Sequence, residues 1–184
     1  MVCYYTFLLT LLPVVFASCR NDIEKIDFFG RKDMPLQTID TARIVRSSEG
    51  RLQIVMTAPR IEQYSTPERR TVYPQGFTLH CYDNARKPSF LIKAKYGVQL
   101  DDKQTMEARG DVVIIDYNSG DTSYLDHIIW DQNDQRIFSD APIRSVNGQR
   151  VTIGDGFESD DQFIHPQILH QRGTVVINEE EEID

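Results

Sequence analysis

The stretch "FLIKAKYGVQL", residues 90–100, alternates between apolar and polar side chains. The polar set of alternating positions includes Lys93, Lys95 and Gln99. Successive side chains of a strand point to opposite faces of a sheet, so this period of two predicts one strand with a buried face and a hydrated face. The apolar set consists of Phe90, Ile92, Ala94, Tyr96, Val98 and Leu100.

Turn signals recur before and after this stretch. They are rich in Gly, Asn and Asp, which readily adopt the backbone conformations that tight hairpins require. No segment shows a sustained apolar period of 3.6 residues, so we expect an all-β chain of successive antiparallel hairpins. The turn signals are "SSEG" (47–50), "DDK" (101–103), "NSGD" (118–121), "QND" (132–134) and "NG" (147–148).

A weak internal repeat has a period of roughly 30–35 residues, a length typical of stacked supersecondary units. Residues 100–114 align with 130–144 if one residue is inserted at the turn, so that small residues coincide. Small side chains let a strand bend or carry a bulge. Bends at equivalent places would fold the sheet over an apolar interior. The coinciding residues are Ala108 and Gly110 in one unit, and Ser139 and Ala141 in the other.

The N-terminus has the pattern of an export signal. The apolar run from Tyr4 to Phe16 is too short and too interrupted by Pro13 for a comfortable bilayer span. We expect residues 1–18 to be a signal peptide. Ala17-Ser18-Cys19 resembles the lipobox of bacterial lipoproteins, which implies cleavage before Cys19 and lipid attachment to its sulfur.

Two features depart from that pattern. Phe16 stands where Leu is usual, and no positive charge precedes the apolar run. An uncleaved anchor and a signal peptide followed by an unmodified Cys therefore remain as alternatives.

Composition restricts the possible partners of the mature chain. Cleavage leaves 166 residues (184 minus 18), enough for one domain, and a net charge of −8. This charge argues against nucleic acid as a partner and gives no attraction to anionic lipid, so membrane contact would come from the lipid anchor alone. Cleavage also removes Cys3, and Cys81 is then expected to be a buried thiol without a disulfide partner.

No motif indicates an enzyme or a metal site. His165 and His170 are five positions apart with Pro166 between them, which does not fit a helical zinc motif. The acidic run "DGFESDD", 155–161, lacks the ligand spacing of an EF-hand. We therefore expect no catalytic residue, no metal and no cofactor.

Three stretches together resemble one protein family. "EARGDVVIIDYNSGD" (107–121) resembles the repeat of the lipopolysaccharide transport proteins of the Lpt bridge. "MTAPRIEQY" (56–64) resembles the first repeat of the LptC component, and 124–169 resembles its C-terminal part. The resemblance covers residues 36–170. Its markers in the C-terminal part are Leu125, Trp130, Asp131, Ile137, Ser139, Gly154, Gly156, Phe157 and Glu158.

The resemblance implies a twisted, open β-jelly roll, a V-shaped pair of antiparallel sheets spanning residues 36–170. A lipid-anchored tether (19–35) would precede it, and a strand end with an acidic tail (171–184) would follow. The protein would receive lipopolysaccharide from the inner-membrane Lpt ABC transporter and pass it to a periplasmic LptA-like partner. Candidate groove residues are Phe90, Ile92, Tyr96, Val98, Leu100, Val112 and Ile114, and candidate docking-edge residues are Gly154, Gly156 and Phe157.

One departure from the family concerns the membrane. Many members hold on to the inner membrane by a spanning helix, which lipid on Cys19 would replace here. We expect attachment to the periplasmic face of the inner membrane, although Arg20 follows the Cys where some bacteria place an Asp retention signal. Two other functions stay open: a docking or assembly lipoprotein without lipid cargo, and a surface lipoprotein that binds glycan.

The anchor leads to a first prediction. Replacing Cys19 with Ala removes the sulfur that would carry lipid, so the Cys19→Ala protein should leave the membrane fraction for the soluble fraction. Cys3→Ala is the matched control and should remain membrane-bound. Full membrane retention of the Cys19→Ala protein would contradict the lipoprotein interpretation.

Overall fold

A computed structural model describes residues 34–176. The expected signal peptide, Cys19, nearly all of the tether and the acidic tail from residue 177 lie outside the described residues. The described strands belong to one compact unit that begins at Pro35. Residues 34–176 contain no helix of the length and apolarity that a membrane crossing needs.

Between residues 34 and 176, twelve strands form one sheet, in which each pair of hydrogen-bonded neighbours is antiparallel. This arrangement confirms the all-β fold class. The strands are β1 (Gln37–Ser48), β2 (Arg51–Tyr64), β3 (Arg70–Tyr73), β4 (Phe77–Tyr82), β5 (Pro88–Ala94), β6 (Tyr96–Leu100), β7 (Thr105–Asp116), β8 (Thr122–Asp131), β9 (Arg136–Asn147), β10 (Arg150–Asp160), β11 (Gln167–Ile168) and β12 (Gly173–Val176).

The five turn signals all fall between paired strands, as the sequence predicted. They connect β1 to β2, β6 to β7, β7 to β8, β8 to β9, and β9 to β10. After β7, the Asp116 carboxylate accepts hydrogen bonds from the backbone N–H groups of Asn118 (2.8 Å) and Ser119 (3.3 Å). This Asx arrangement shows why Asp and Asn favour such turns.

The prediction of a single strand over residues 90–100 was wrong. β5 ends at Ala94 and β6 begins at Tyr96, because the chain bends at Lys95, whose N–H donates to the Gly110 carbonyl at 2.9 Å. A Cβ on Gly97 would lie 2.7 Å from the Phe77 ring, so position 97 faces the interior. Tyr96 and Val98, its neighbours in the strand, therefore point to the opposite face.

Irregularities in neighbouring strands line up with the bend at Lys95. The register between β7 and β8 shifts between Arg109 and Val112, where Gly110 has a φ of +73°. Similar shifts occur between Leu125 and Ile129 in β8 and between Asp155 and Phe157 in β10. Bulges bend strands and increase their twist. The predicted bends near Ala108–Gly110 and Ser139–Ala141 are thus confirmed.

The aligned bends divide the sheet into two half-sheets. The first half-sheet contains β4, β5, β12 and the segments 112–116, 122–125, 143–147 and 150–153. The second half-sheet contains β3, β6, β11 and the segments 105–109, 129–131, 136–139 and 157–160. β1 and β2 run along both half-sheets.

Apolar side chains of both half-sheets form one core. Val112 and Ile143 are its most completely buried side chains, and Tyr73 packs on Phe77 with ring centroids 5.5 Å apart. The other large members are Met56, Ile61, Leu79, Phe90, Ile92, Met106, Ile114, Leu125, Ile128, Ile137, Phe157 and Phe163. The result is a jelly-roll-like fold in which a bent sheet encloses its own apolar face.

The close approach at Gly97 yields a second prediction. In Gly97→Ala, the added methyl must displace the Phe77 and Tyr73 rings, so we expect a loss of about 1–3 kcal/mol of unfolding free energy. Gly173→Ala is the matched control, since its Cβ meets no atom within 4 Å, and it should change stability by less than about 0.5 kcal/mol. Urea unfolding measures both. Equal stability of the two variants would contradict the packing at residue 97.

Candidate functional site

Two cavities lie between the half-sheets. The large cavity has a volume of about 500 Å³ and is lined mainly by the first half-sheet and by the segment after β10. The small cavity, about 50 Å³, lies between apolar side chains of both half-sheets. Phe90, Ile114 and Phe157 are apolar walls of the large cavity. The small cavity is lined by Ile54, Phe77, Leu79, Cys81, Ile92, Met106, Ala108, Ile128, Trp130, Ile137, Asp161 and Phe163.

The large cavity also has a polar side. The Ser123 and Ser145 hydroxyls, which are buried on adjacent strands, hydrogen bond to each other at 3.0 Å. Asp116 and Arg150 add charge, but the Asp116 carboxylate is already occupied by the turn after β7. The cavity thus pairs an apolar wall with largely satisfied polar groups. Such a surface suits an amphiphilic ligand better than a purely polar one.

The structure brings four of the seven candidate groove residues together in the core. Phe90 and Ile114 line the large cavity, Ile92 lines the small cavity, and Val112 is fully buried without lining either. The other three lie in β6, beyond the bend at Lys95. They are only partly buried, and they lie on the face opposite Gly97. They are Tyr96, Val98 and Leu100.

The candidate docking-edge residues lie in β10, which is paired on both sides. β9 is one neighbour, and the chain's own β11 and β12 are the other. A Cβ on Gly154 would lie 2.4 Å from the Ile168 Cγ2 atom and 2.6 Å from the Leu169 carbonyl oxygen, so Gly154 makes room for the returning chain. Gly156 is buried close to Leu169, and Phe157 faces the large cavity.

Sequence reasoning missed Phe163, which lies in the segment that follows β10. Its side chain is 4% exposed, and its ring stacks on Phe90 with centroids 4.6 Å apart and an interplanar angle of 26°. Its sequence context, "DDQFIHP", has no strand or helix periodicity that would mark a buried residue. The available signal was one aromatic side chain inside a mostly polar loop.

Asp160 organises the backbone around Phe163. Its carboxylate accepts hydrogen bonds from the N–H groups of Gln162 (3.1 Å), Ile164 (2.8 Å) and His165 (3.2 Å), and lies 3.0 Å from the His165 Nδ1 atom. Burial raises the pKa of this carboxyl, but the bonds from Ile164, His165 and Gln162 outweigh burial and hold the pKa below its usual value. The carboxylate is therefore charged at neutral pH.

The two histidines of this segment have separate partners. His165 contacts Asp160, whereas the His170 Nδ1 atom lies 3.2 Å from the Asp155 carbonyl oxygen. Residues 34–176 contain no group of three His, Cys, Asp or Glu side chains placed to hold a metal ion.

Cys81 lines the small cavity as a free thiol. Burial raises its pKa to about 11, so it is protonated at neutral pH. A protonated, largely buried thiol behaves as a small apolar side chain, which agrees with the prediction for this residue.

Comparison with known families identifies the chain. No curated protein matches its sequence. The model of the family described as "Lipopolysaccharide-assembly, LptC-related" matches residues 30–173, a span that includes β1 to β11 and the start of β12. The chain therefore belongs to the LptC-related family of lipopolysaccharide-assembly proteins, a family of transport components.

Proposed function

We propose that this protein is a membrane-anchored periplasmic carrier. It receives lipopolysaccharide from an inner-membrane ABC transporter and passes it to an LptA-like partner of similar fold. The observation that carries this proposal is the large cavity, where an apolar wall between the half-sheets lies beside polar side chains. The transporter supplies the energy, and the carrier needs no catalytic residue.

The chemistry of the large cavity determines which part of the lipid it would hold. Lipopolysaccharide has acyl chains, and each CH2 group removed from water contributes about 0.8 kcal/mol. Phe90, Ile114 and Phe157 offer apolar surface for such a chain. The cavity's charged lining residues are two carboxylates, Asp116 and Asp121, and one guanidinium, Arg150, so a phosphate group is disfavoured inside. Acyl chains would enter while the charged sugar stays outside.

The sheet edges offer routes to partner proteins. In the described part of the chain, β1 pairs only with β2, and β12 pairs only with β10. The outer side of each strand therefore has unpaired backbone groups, on which a partner's edge strand can add. Both edges also expose apolar side chains, which include Ile44 and Val45 on β1 and Val175 and Val176 on β12.

Attachment at Cys19 would keep the carrier close to the transporter. The tether that follows Cys19 leads into the strand-rich unit that begins at Pro35. Anchored on the periplasmic face of the inner membrane, the carrier would meet lipid as it leaves the bilayer. A lipid anchor restricts diffusion without requiring a spanning helix.

A docking module without cargo is the second candidate function. The small cavity favours this function, because its volume is only about 50 Å³ and side chains fill most of the interior around it. Such a module would use the β1 and β12 edges and carry no lipid.

A capture experiment separates the two functions. The chain from residue 20 onward is incubated with purified lipopolysaccharide in mild detergent, and co-purification is measured. Ile114→Ser makes the wall of the large cavity polar and should weaken capture about tenfold, which corresponds to about 1.4 kcal/mol. Ile143→Ser is the matched control, because Ile143 is 1% exposed and lines neither cavity.

The control removes the effect of stability from this comparison. Both substitutions place a hydroxyl in the core, and each should lower the thermal unfolding temperature. Only Ile114→Ser should weaken capture when both folded variants are compared at the same temperature. Equal capture by the two variants, or no saturable capture by the folded wild-type protein, would favour the docking module.

The edges give a separate prediction. Val45→Lys on β1 and Val175→Lys on β12 place a charge where a partner strand would pair, so each should reduce co-purification with one Lpt partner. Because both residues are exposed, unfolding free energies should change by less than about 0.5 kcal/mol. Tyr124→Lys, an exposed position on the central strand β8, is the control and should leave co-purification intact.

A further inference from the structure

Phe163 separates the two cavities. Among the described residues, it is the one side chain that lines both of them. On one side the ring stacks on Phe90, a wall of the large cavity. On the other side it contributes to the small cavity together with residues such as Ile92 and Met106. Removing this ring from its place would join the two volumes.

The segment that carries Phe163 is attached differently from the strands around it. We call residues 161–172 the strap. It leaves β10, pairs with it again over the two residues of β11, and then leads into β12. Before β11, the strap is held by a hydrogen bond from the Asp161 N–H to the Gln135 carbonyl (3.0 Å) at its start. Beyond that point, its backbone is held by the Asp160 carboxylate and by a hydrogen bond from the Phe163 N–H to the Asp160 carbonyl (3.1 Å).

The backbone of the strap is strained at Phe163. Its φ of +55° lies in the left-handed region, which a bulky side chain rarely adopts. His170, near the other end of the strap, has a φ of +46°. Strain of this kind persists only where the surroundings hold it, and it is common at clamps and switching segments.

We propose that the strap is a gate, in which Phe163 swings out to join the two cavities into one continuous channel, whose apolar wall holds an acyl chain. This inference rests on the proposed function, since it concerns the path of the same cargo. The entering chain would take over the contacts that the Phe163 ring makes with Phe90. Opening and filling the channel would thus exchange one apolar contact for another.

Two features make this movement compatible with the rest of the fold. The hydrogen bonds between Asp160 and the strap are exposed, so water can replace them when the strap moves. The ladder between β9 and β10 does not include residues 161–166, so it stays intact. Trp130 also lines the small cavity, and its buried Nε1–H has no hydrogen-bond partner among residues 34–176. This group is a donor available to an oxygen of the entering lipid.

Cys81 provides a native probe of gate opening. It is partly buried and lines the small cavity but not the large cavity. In the full chain with Cys3→Ser and Cys19→Ser, Cys81 becomes the only thiol. The alkylation rate of this thiol by N-ethylmaleimide, measured in mild detergent at fixed pH, then reports access to the small cavity. Cys81 is expected to react slowly in the closed protein, because the reagent attacks the thiolate.

Phe163→Ala should raise the alkylation rate at least fivefold. Ile164→Ala is the matched control, because Ile164 is the next residue of the strap and is 62% exposed, and its rate should equal that of the wild type. Ile143→Ala controls for general destabilisation, since it removes core volume that borders neither cavity. If Phe163→Ala does not fold, Asp160→Asn should still loosen the strap and raise the rate above that of Ile164→Ala.

Added lipopolysaccharide tests separately whether an acyl chain fills the channel. Saturating lipopolysaccharide should slow alkylation of Cys81 in the wild type and in Phe163→Ala, because an acyl chain in the channel would cover the thiol. If neither Phe163→Ala nor Asp160→Asn alkylates faster than the Ile164→Ala and Ile143→Ala controls, the gate is overturned while lipid capture can stand. If lipopolysaccharide neither binds nor protects any variant, the proposed function fails, and the acyl-chain channel fails with it.

Discussion

The aligned bend across the strands is the constraint on which the rest of this structure depends. A flat sheet of twelve strands would leave one apolar face in water. Here the bend at Lys95, the bulge at Gly110 and the register shift at Gly156 let one hydrogen-bonded sheet cover its own apolar face. The backbone remains paired while the core forms between two half-sheets. The cavities exist because that core is filled unevenly along its length.

Local sequence signals predicted the features that short segments determine. Turn residues predicted five hairpins, and small residues such as Ala108 and Gly110 predicted where strands bend. The alternation in residues 90–100 was misleading because pairing with β3 and β7 reverses the inward face after Lys95. Phe163 and the pairing of β10 with β11 and β12 depend on a returning segment, which no local pattern specifies.

A lipid carrier must satisfy two opposing requirements. It needs enough apolar contact to hold a chain that water would otherwise surround, yet the empty protein must not collapse or aggregate. If the protein is the carrier proposed above, the division between the large cavity and the small cavity would meet both requirements. The Phe163 ring fills part of the interior beside Phe90, and the buried Ser123 and Ser145 hydroxyls on the polar side of the large cavity satisfy each other.

If the protein is exported as proposed, the position of Cys81 has a consequence for its redox chemistry. An unpaired cysteine in an oxidising compartment is exposed to disulfide-forming enzymes and to other free thiols. With its pKa raised to about 11, the Cys81 sulfur is almost wholly protonated at neutral pH and is a poor nucleophile for such exchange. In an oxidising compartment, Cys81 would therefore be slow to form mixed disulfides.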